Sequence, residues 1–133
     1  PEVVVDVATL TGAASLGLGR RHAALYSPDD DLAAALAAAA QASGEQAWRM
    51  PLVEDYRPAI DSTVADVRQA VTAPGFGAGS ITAALFLREF AAGRRWAHLD
   101  IAGPARSDKE EHEVPKGPTG YGARLLLRWL ETL

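Results

Sequence analysis

Three consecutive valines, Val3-Val4-Val5, run directly into Asp6-Val7-Ala8-Thr9-Leu10-Thr11-Gly12-Ala13. A β-branched run ending in an acid and then a Thr- and Gly-containing turn predicts a buried strand that opens, at its C-terminal end, into a helix start. Small residues fill positions 13–19, and Gly17 and Gly19 predict where that short helix stops. The strand, over residues 3–7, is apolar on both sides, as in the middle of a sheet covered on both faces. In open α/β sheets, ligands gather at the C-terminal ends of strands, so this turn is the first place to look for a site.

The rest of the chain alternates in the same way. Residues 21–26 predict a second strand. Ser27-Pro28-Asp29-Asp30 predicts a helix start, with Ser27 as cap and Pro28 in the first turn, and Gly44 ends that helix. Residues 48–52 read as extended, and residues 54–70 as partly helical around Pro58. Residues 72–79, rich in Gly and Pro, are a loop. Ser80 is expected to cap an apolar helix over residues 81–92, its Ala83, Phe86, Leu87 and Phe90 sharing one face. Residues 96–102 predict a further strand and residues 104–120 a long polar loop. A last helix over 121–132 is expected to turn Ala123, Leu126, Leu127 and Leu130 inward. The fold class expected is therefore α/β, a mixed sheet with helices on both faces, in which strands 3–7 and 96–102 are central neighbours.

Composition narrows the partners. The net charge of −4 gives no basic field to draw nucleic acid. No apolar run approaches the length of a membrane span, so no membrane partner is expected. The absence of cysteine rules out disulfides and thiolate metal sites and is compatible with a cytoplasmic setting.

Read by themselves, the polar residues leave several roles open. Asp6, at a strand end, suits either a metal ligand or, by preference, a backbone N–H or an arginine. His98 and Asp100 lie on one strand face. They read as a base and its orienter serving Ser15 or Thr11, or, by preference, as a satisfied buried pair. Ser15 lacks the G-x-S-x-G elbow that a serine hydrolase would place around it. The turn at Thr9 to Gly12 suits an anion, a peptide substrate held by backbone carbonyls, or simply a helix start capped by Thr11. The charged run 106–113 reads as a solvated loop face.

The wording of three stretches is more specific. "DVATLTGA" at 6–13, "WRMPL" at 48–52 and "WAHLDIAG" at 96–103 resemble signatures of the leucyl aminopeptidase (cytosol aminopeptidase) family, in the same order and at similar spacing. The resemblance implies a di-metal exopeptidase, with two divalent ions (zinc or manganese) activating water against the N-terminal peptide bond. It implies peptide substrates, a cytoplasmic location and a homohexamer, with loops 72–79 and 106–120 near subunit contacts or the active-site entrance. The family's metal-binding "NTDAEGR" motif does not occur here. The expectation is that residues 1–133 are the C-terminal segment of one catalytic domain whose metal-binding part lies upstream. No catalytic or metal-ligating residue is then expected in this segment. By matching residues, Thr9, Gly12 and Ala102 would line the pocket for the first side chain of the substrate. Leu10 would offer its carbonyl to the substrate or its amide to a bicarbonate ion. Ala70 would reach the pocket for the next residue, and Ala105 a further wall. The competing expectation is a non-catalytic structural or interaction fragment.

Overall fold

The computed structural model describes residues 1–133. In chain order the main elements are β1 (Val3–Ala8), α1 (Gly12–Leu18), β2 (His22–Tyr26), α2 (Asp30–Ser43) and β3 (Gln46–Arg49), then α3 (Gly79–Arg88), β4 (Arg95–Asp100) and α4 (Ala123–Leu130). Four strands form one sheet in the order β1-β4-β2-β3. β1 is parallel to β4, β2 antiparallel to β4, and β3 parallel to β2, so the sheet is mixed. The two segments expected to be neighbours are paired, with Asp6 opposite His98 and Ala8 opposite Asp100. β1 is nevertheless an edge strand of this sheet rather than an interior one, and Val7 is 37% exposed. An apolar run shows that a strand has two apolar sides, but not how many neighbours it has.

Helices cover both faces. On one, Leu32, Leu36, Ala39 and Ala40 of α2 and Leu125 and Trp129 of α4 pack on Ala23, Leu25, Ala97 and Leu99. On the other, Ala14 of α1 and Ala84 of α3 pack on Ala24, Tyr26 and Trp96. The alternation along β4 follows from the pleat: Ala97 and Leu99 go to the first face, Trp96, His98 and Asp100 to the second. The many alanines of α2 let its backbone approach the sheet closely, and full burial of each of its leucines contributes about 1.5–3 kcal/mol.

Several local expectations are corrected. Asp29, not Ser27, caps α2, accepting from the Leu32 amide at 2.9 Å. Ser27 instead accepts from the Asp29 amide and donates to the Trp96 carbonyl at 2.7 Å, which ties the end of β2 to β4. α3 begins at Gly79 without a side-chain cap, Ala78 before it being left-handed at φ 48°, and Ser80 is buried inside the helix. Phe90 falls in a short 3-10 turn after α3 and is 67% exposed, so that helix turns Ser80, Thr82, Ala84 and Leu85 inward. α4 buries Leu125 and Trp129, while Leu127 and Leu130 are 60% and 56% exposed. The indole of Trp129 four residues after Leu125 sets that phase against α2, outweighing the larger number of leucines on the other side. The long loop after β4 is partly ordered by a two-strand ladder, β5 (Arg106–Ser107) against β6 (Gly117–Pro118).

Candidate functional site

The turn after β1 is fixed from β4. Asp100 is buried at the C-terminal end of β4, directly across from Ala8. Its Oδ1 accepts from the Leu10 amide and from the Ala102 amide, each at 3.1 Å, and its Oδ2 accepts from the Thr11 hydroxyl at 2.7 Å. Thr11 in turn caps α1, accepting from the Ala14 amide at 3.0 Å. One carboxylate thus joins the loop after β1 to the loop after β4. Hydrogen bonds to an ionised group contribute about 1.5–3 kcal/mol each, so this is a firm attachment. With its amide engaged, Leu10 has only its carbonyl free, and no backbone or side-chain donor of the chain reaches that oxygen.

A cleft of about 470 Å3 opens between this turn, the start of α3 and the irregular segment before it. Leu10, Thr11, Ala70, Phe76 and Thr82 are among the residues that line it. Thr9 and Gly12 are exposed on either side of the lining pair Leu10 and Thr11. A Cβ added at Gly12 would meet nothing within 4 Å, so that position faces open space. Ala102 is half-buried and joins the turn through Asp100 without lining the cleft. Ala105 sits elsewhere: its amide bonds Ile101 and its carbonyl accepts from Thr119, and its neighbours Pro104 and Arg106 line a separate, charged cleft of about 480 Å3. The structure therefore brings Leu10 and Ala70 to one cleft, leaves Thr9 and Gly12 exposed beside Leu10 and Thr11, ties Ala102 to Asp100, and sets Ala105 beside another cleft.

The polar face of β4 carries a second buried group. His98 Nδ1 lies 2.5 Å from Asp6 Oδ1, and Asp6 Oδ2 accepts from Trp96 Nε1 at 2.7 Å. Asp6 thus holds two side chains of the neighbouring strand, in place of the backbone group, arginine or metal that the sequence left open. His98 does not pair with Asp100, which the two loops occupy fully, and Nε2 of His98 has no partner. The Tyr26 ring stacks beside His98 with centroids 6.1 Å apart. Its hydroxyl has no partner in good geometry, with Ser80 alongside, and burial pushes its pKa up, the Asp100 charge adding to the effect. A base oriented by Asp100 and directed at Ser15 is therefore absent from this arrangement.

Residues 1–127 match the catalytic domain of the cytosol aminopeptidase family. The chain belongs to that family. It is 53% identical over 131 residues to a probable cytosol aminopeptidase of Synechococcus sp. (strain CC9605), covering 98% of this chain and 26% of that protein. A probable cytosol aminopeptidase of Nostoc punctiforme (strain ATCC 29133 / PCC 73102) is 50% identical over 129 residues, covering 97% of this chain and 26% of its own length. Among solved structures, a mutant tomato leucine aminopeptidase aligns with a TM-score of 0.89 at 44% identity, over 99% of this chain and 25% of that one. The bottromycin maturation enzyme BotP in complex with Mn aligns with a TM-score of 0.90 at 47% identity, over 98% of this chain and 29% of that one. The chain spans about a quarter of the length of the curated relatives it matches.

Within this segment, no three His, Cys, Asp or Glu side chains converge so as to hold a metal ion. Its own residues do not fit a two-metal centre, and the buried acid Asp100, like the half-buried Asp6, holds donors of other elements instead. Glu45, also buried, accepts from the Gly122 and Leu125 amides at 3.1 and 2.8 Å and so caps α4 from 77 and 80 residues away. No helix is long and apolar enough to cross a membrane. The attachment of the turn by Asp100 is the feature sequence reading missed. Spacing carries no signal for it, because the partners lie about 90 residues apart and meet only through strand register.

Proposed function

We propose that residues 1–133 are the C-terminal part of the catalytic domain of a cytoplasmic, homohexameric aminopeptidase that releases N-terminal residues from peptides. In this reading two divalent ions, zinc or manganese, are bound by residues outside this segment, which itself supplies pocket walls and backbone contacts. Family membership and the manganese complex of BotP support the metal requirement. The observation that carries the role of the segment is the free Leu10 carbonyl on an anchored turn beside the cleft. A fixed carbonyl accepts an N–H of an extended peptide and sets its register, and holding a substrate in register is itself a large contribution to rate. Between the two roles open to Leu10, its occupied amide favours the peptide over a bicarbonate ion. Thr9, Gly12 and Ala102 form the surroundings of the first side chain, Ala70 those of the next, and Ala105 a more distant wall.

The intact protein is expected to hydrolyse leucine amide, to lose that activity to a chelator and to recover it with Mn2+ or Zn2+. Residues 1–133 alone are expected to be inactive. An intact protein without chelator-sensitive hydrolysis leaves the non-catalytic reading in possession. Within the active protein, Gly12→Leu places bulk in the open space beside the cleft. It is expected to lower kcat/KM for leucine amide at least tenfold more than for alanine amide, since a filled pocket rejects large side chains by about 1–3 kcal/mol. Equal loss on both substrates would remove Gly12 from the pocket.

A further inference from the structure

We infer that Asp100 is a positioning residue for substrate selection, the one side chain that ties the turn carrying the Leu10 carbonyl to the loop at Ala102. The inference rests on the proposed aminopeptidase reading and goes beyond it, because Asp100 touches neither the cleft nor, in that reading, the substrate. Three observations carry it. Asp100 is 1% exposed, so its carboxylate is withdrawn from water and is stabilised by the donors it meets. Those donors come from both loops of the site: the Leu10 amide and Thr11 hydroxyl from one, the Ala102 amide from the other. The Leu10 carbonyl lies between two points that are both held, the Leu10 amide on one side and the Thr11 side chain on the other, which restrains where it points.

The arrangement also explains why Thr11 carries a hydroxyl. Its Oγ1 donates to Asp100 while accepting from Ala14, so one atom links the carboxylate to the start of α1. Valine in its place has the same shape and neither bond. The β1–β4 pairing, with Ala8 opposite Asp100, places this linkage at the point where the chain leaves the sheet, and the Ile101 amide bonds the Ala8 carbonyl at 2.8 Å. The turn just beyond Ala8 is therefore held to the end of β4 by one side chain.

The test uses the intact protein and compares wild type with Asp100→Asn, Thr11→Val and Thr11→Ser. Kinetics are measured on leucine amide and alanine amide, with bound metal and thermal midpoint measured on the same samples. Asp100→Asn keeps an oxygen for the two amides but presents an NH2 group to Thr11. The expected result is unchanged metal content, kcat/KM lower by roughly 10- to 100-fold, most of it in KM, and a narrower preference between the two amides. Thr11→Val is expected to follow it, and Thr11→Ser to recover most of the loss. Hydrogen exchange at the Leu10 and Ala102 amides is expected to quicken in Asp100→Asn and Thr11→Val together. Folded variants with wild-type KM and preference overturn the inference, as does a loss confined to kcat that follows metal loss. If Asp100→Asn does not fold, the two Thr11 variants decide by the same criteria. A wild type with no chelator-sensitive hydrolysis of either amide overturns the aminopeptidase reading, and the inference with it. An active wild type beside unaltered variants overturns the inference alone.

Discussion

Gly103 follows the "LDIA" residues of β4 and its exit, and a Cβ built on it would lie 2.2 Å from the Gly19 carbonyl oxygen. The clash is with backbone, at the end of α1, so no rotamer can relieve it. Gly103→Ala is expected to force the two loops apart and cost about 1–3 kcal/mol, read as a lowered thermal midpoint of the intact protein. Gly12→Ala is the matched control. Its Cβ would meet nothing within 4 Å, and a change within about 0.5 kcal/mol is expected. A destabilised Gly12→Ala with an unaffected Gly103→Ala would mean that the loops are arranged differently. Both glycines belong to motifs visible in the sequence. Only the structure separates the one that allows close packing from the one beside open space, because the neighbour that matters to Gly103 is 84 residues away.

The helix start at residues 27–30 was legible as a whole and misassigned in detail. The cap belongs to Asp29 because Arg95, at the start of β4, holds its carboxylate with Nε 2.5 Å from Oδ2. The same arginine, with the Leu32 amide, lowers the Asp29 pKa from 3.8 to about 2. A depressed carboxyl pKa contributes stability that is present above the unfolded value and is lost as pH falls through the folded one. The stability difference between wild type and Asp29→Asn is therefore expected to be complete above about pH 4 and to shrink toward zero near pH 2, read from urea midpoints. A difference that stays constant over that range would show that the ion pair is not formed. At the far end of the sheet, Glu45 caps α4 by the same chemistry, and here the cap comes from another element, where no local motif announces it.

Residues 1–133 form a sheet with both faces covered and an unpaired strand at each edge: β1 pairs only with β4, and β3 only with β2. Bare edges invite pairing with another chain. Leu127, Leu130 and Leu133 add exposed apolar surface on and just beyond α4. Residues 1–133 by themselves are expected to self-associate, with light scattering in dilute buffer reading more than one copy per particle. A single species near 14.0 kDa that unfolds cooperatively would show that the segment closes its own core and that these edges are harmless.

The sequence by itself determined the type and order of the elements, the α/β class with helices on both faces and the family, and it offered Thr11 as one of several readings of the turn, the cap that the structure shows. Those follow from local signals: a β-branched run, glycines at helix ends, small-residue helices and three short motifs. The tertiary structure alone decided that Trp129 rather than Leu127 or Leu130 seats α4, that Asp6 rather than Asp100 holds His98, and that Asp100 holds the turn. Each of these depends on residues 85 to 95 apart in the chain or on packing against a distant helix. Periodicity records which way a side chain points within its own element, whereas the identity of its partner is set by strand register and by the volume of the facing side chains.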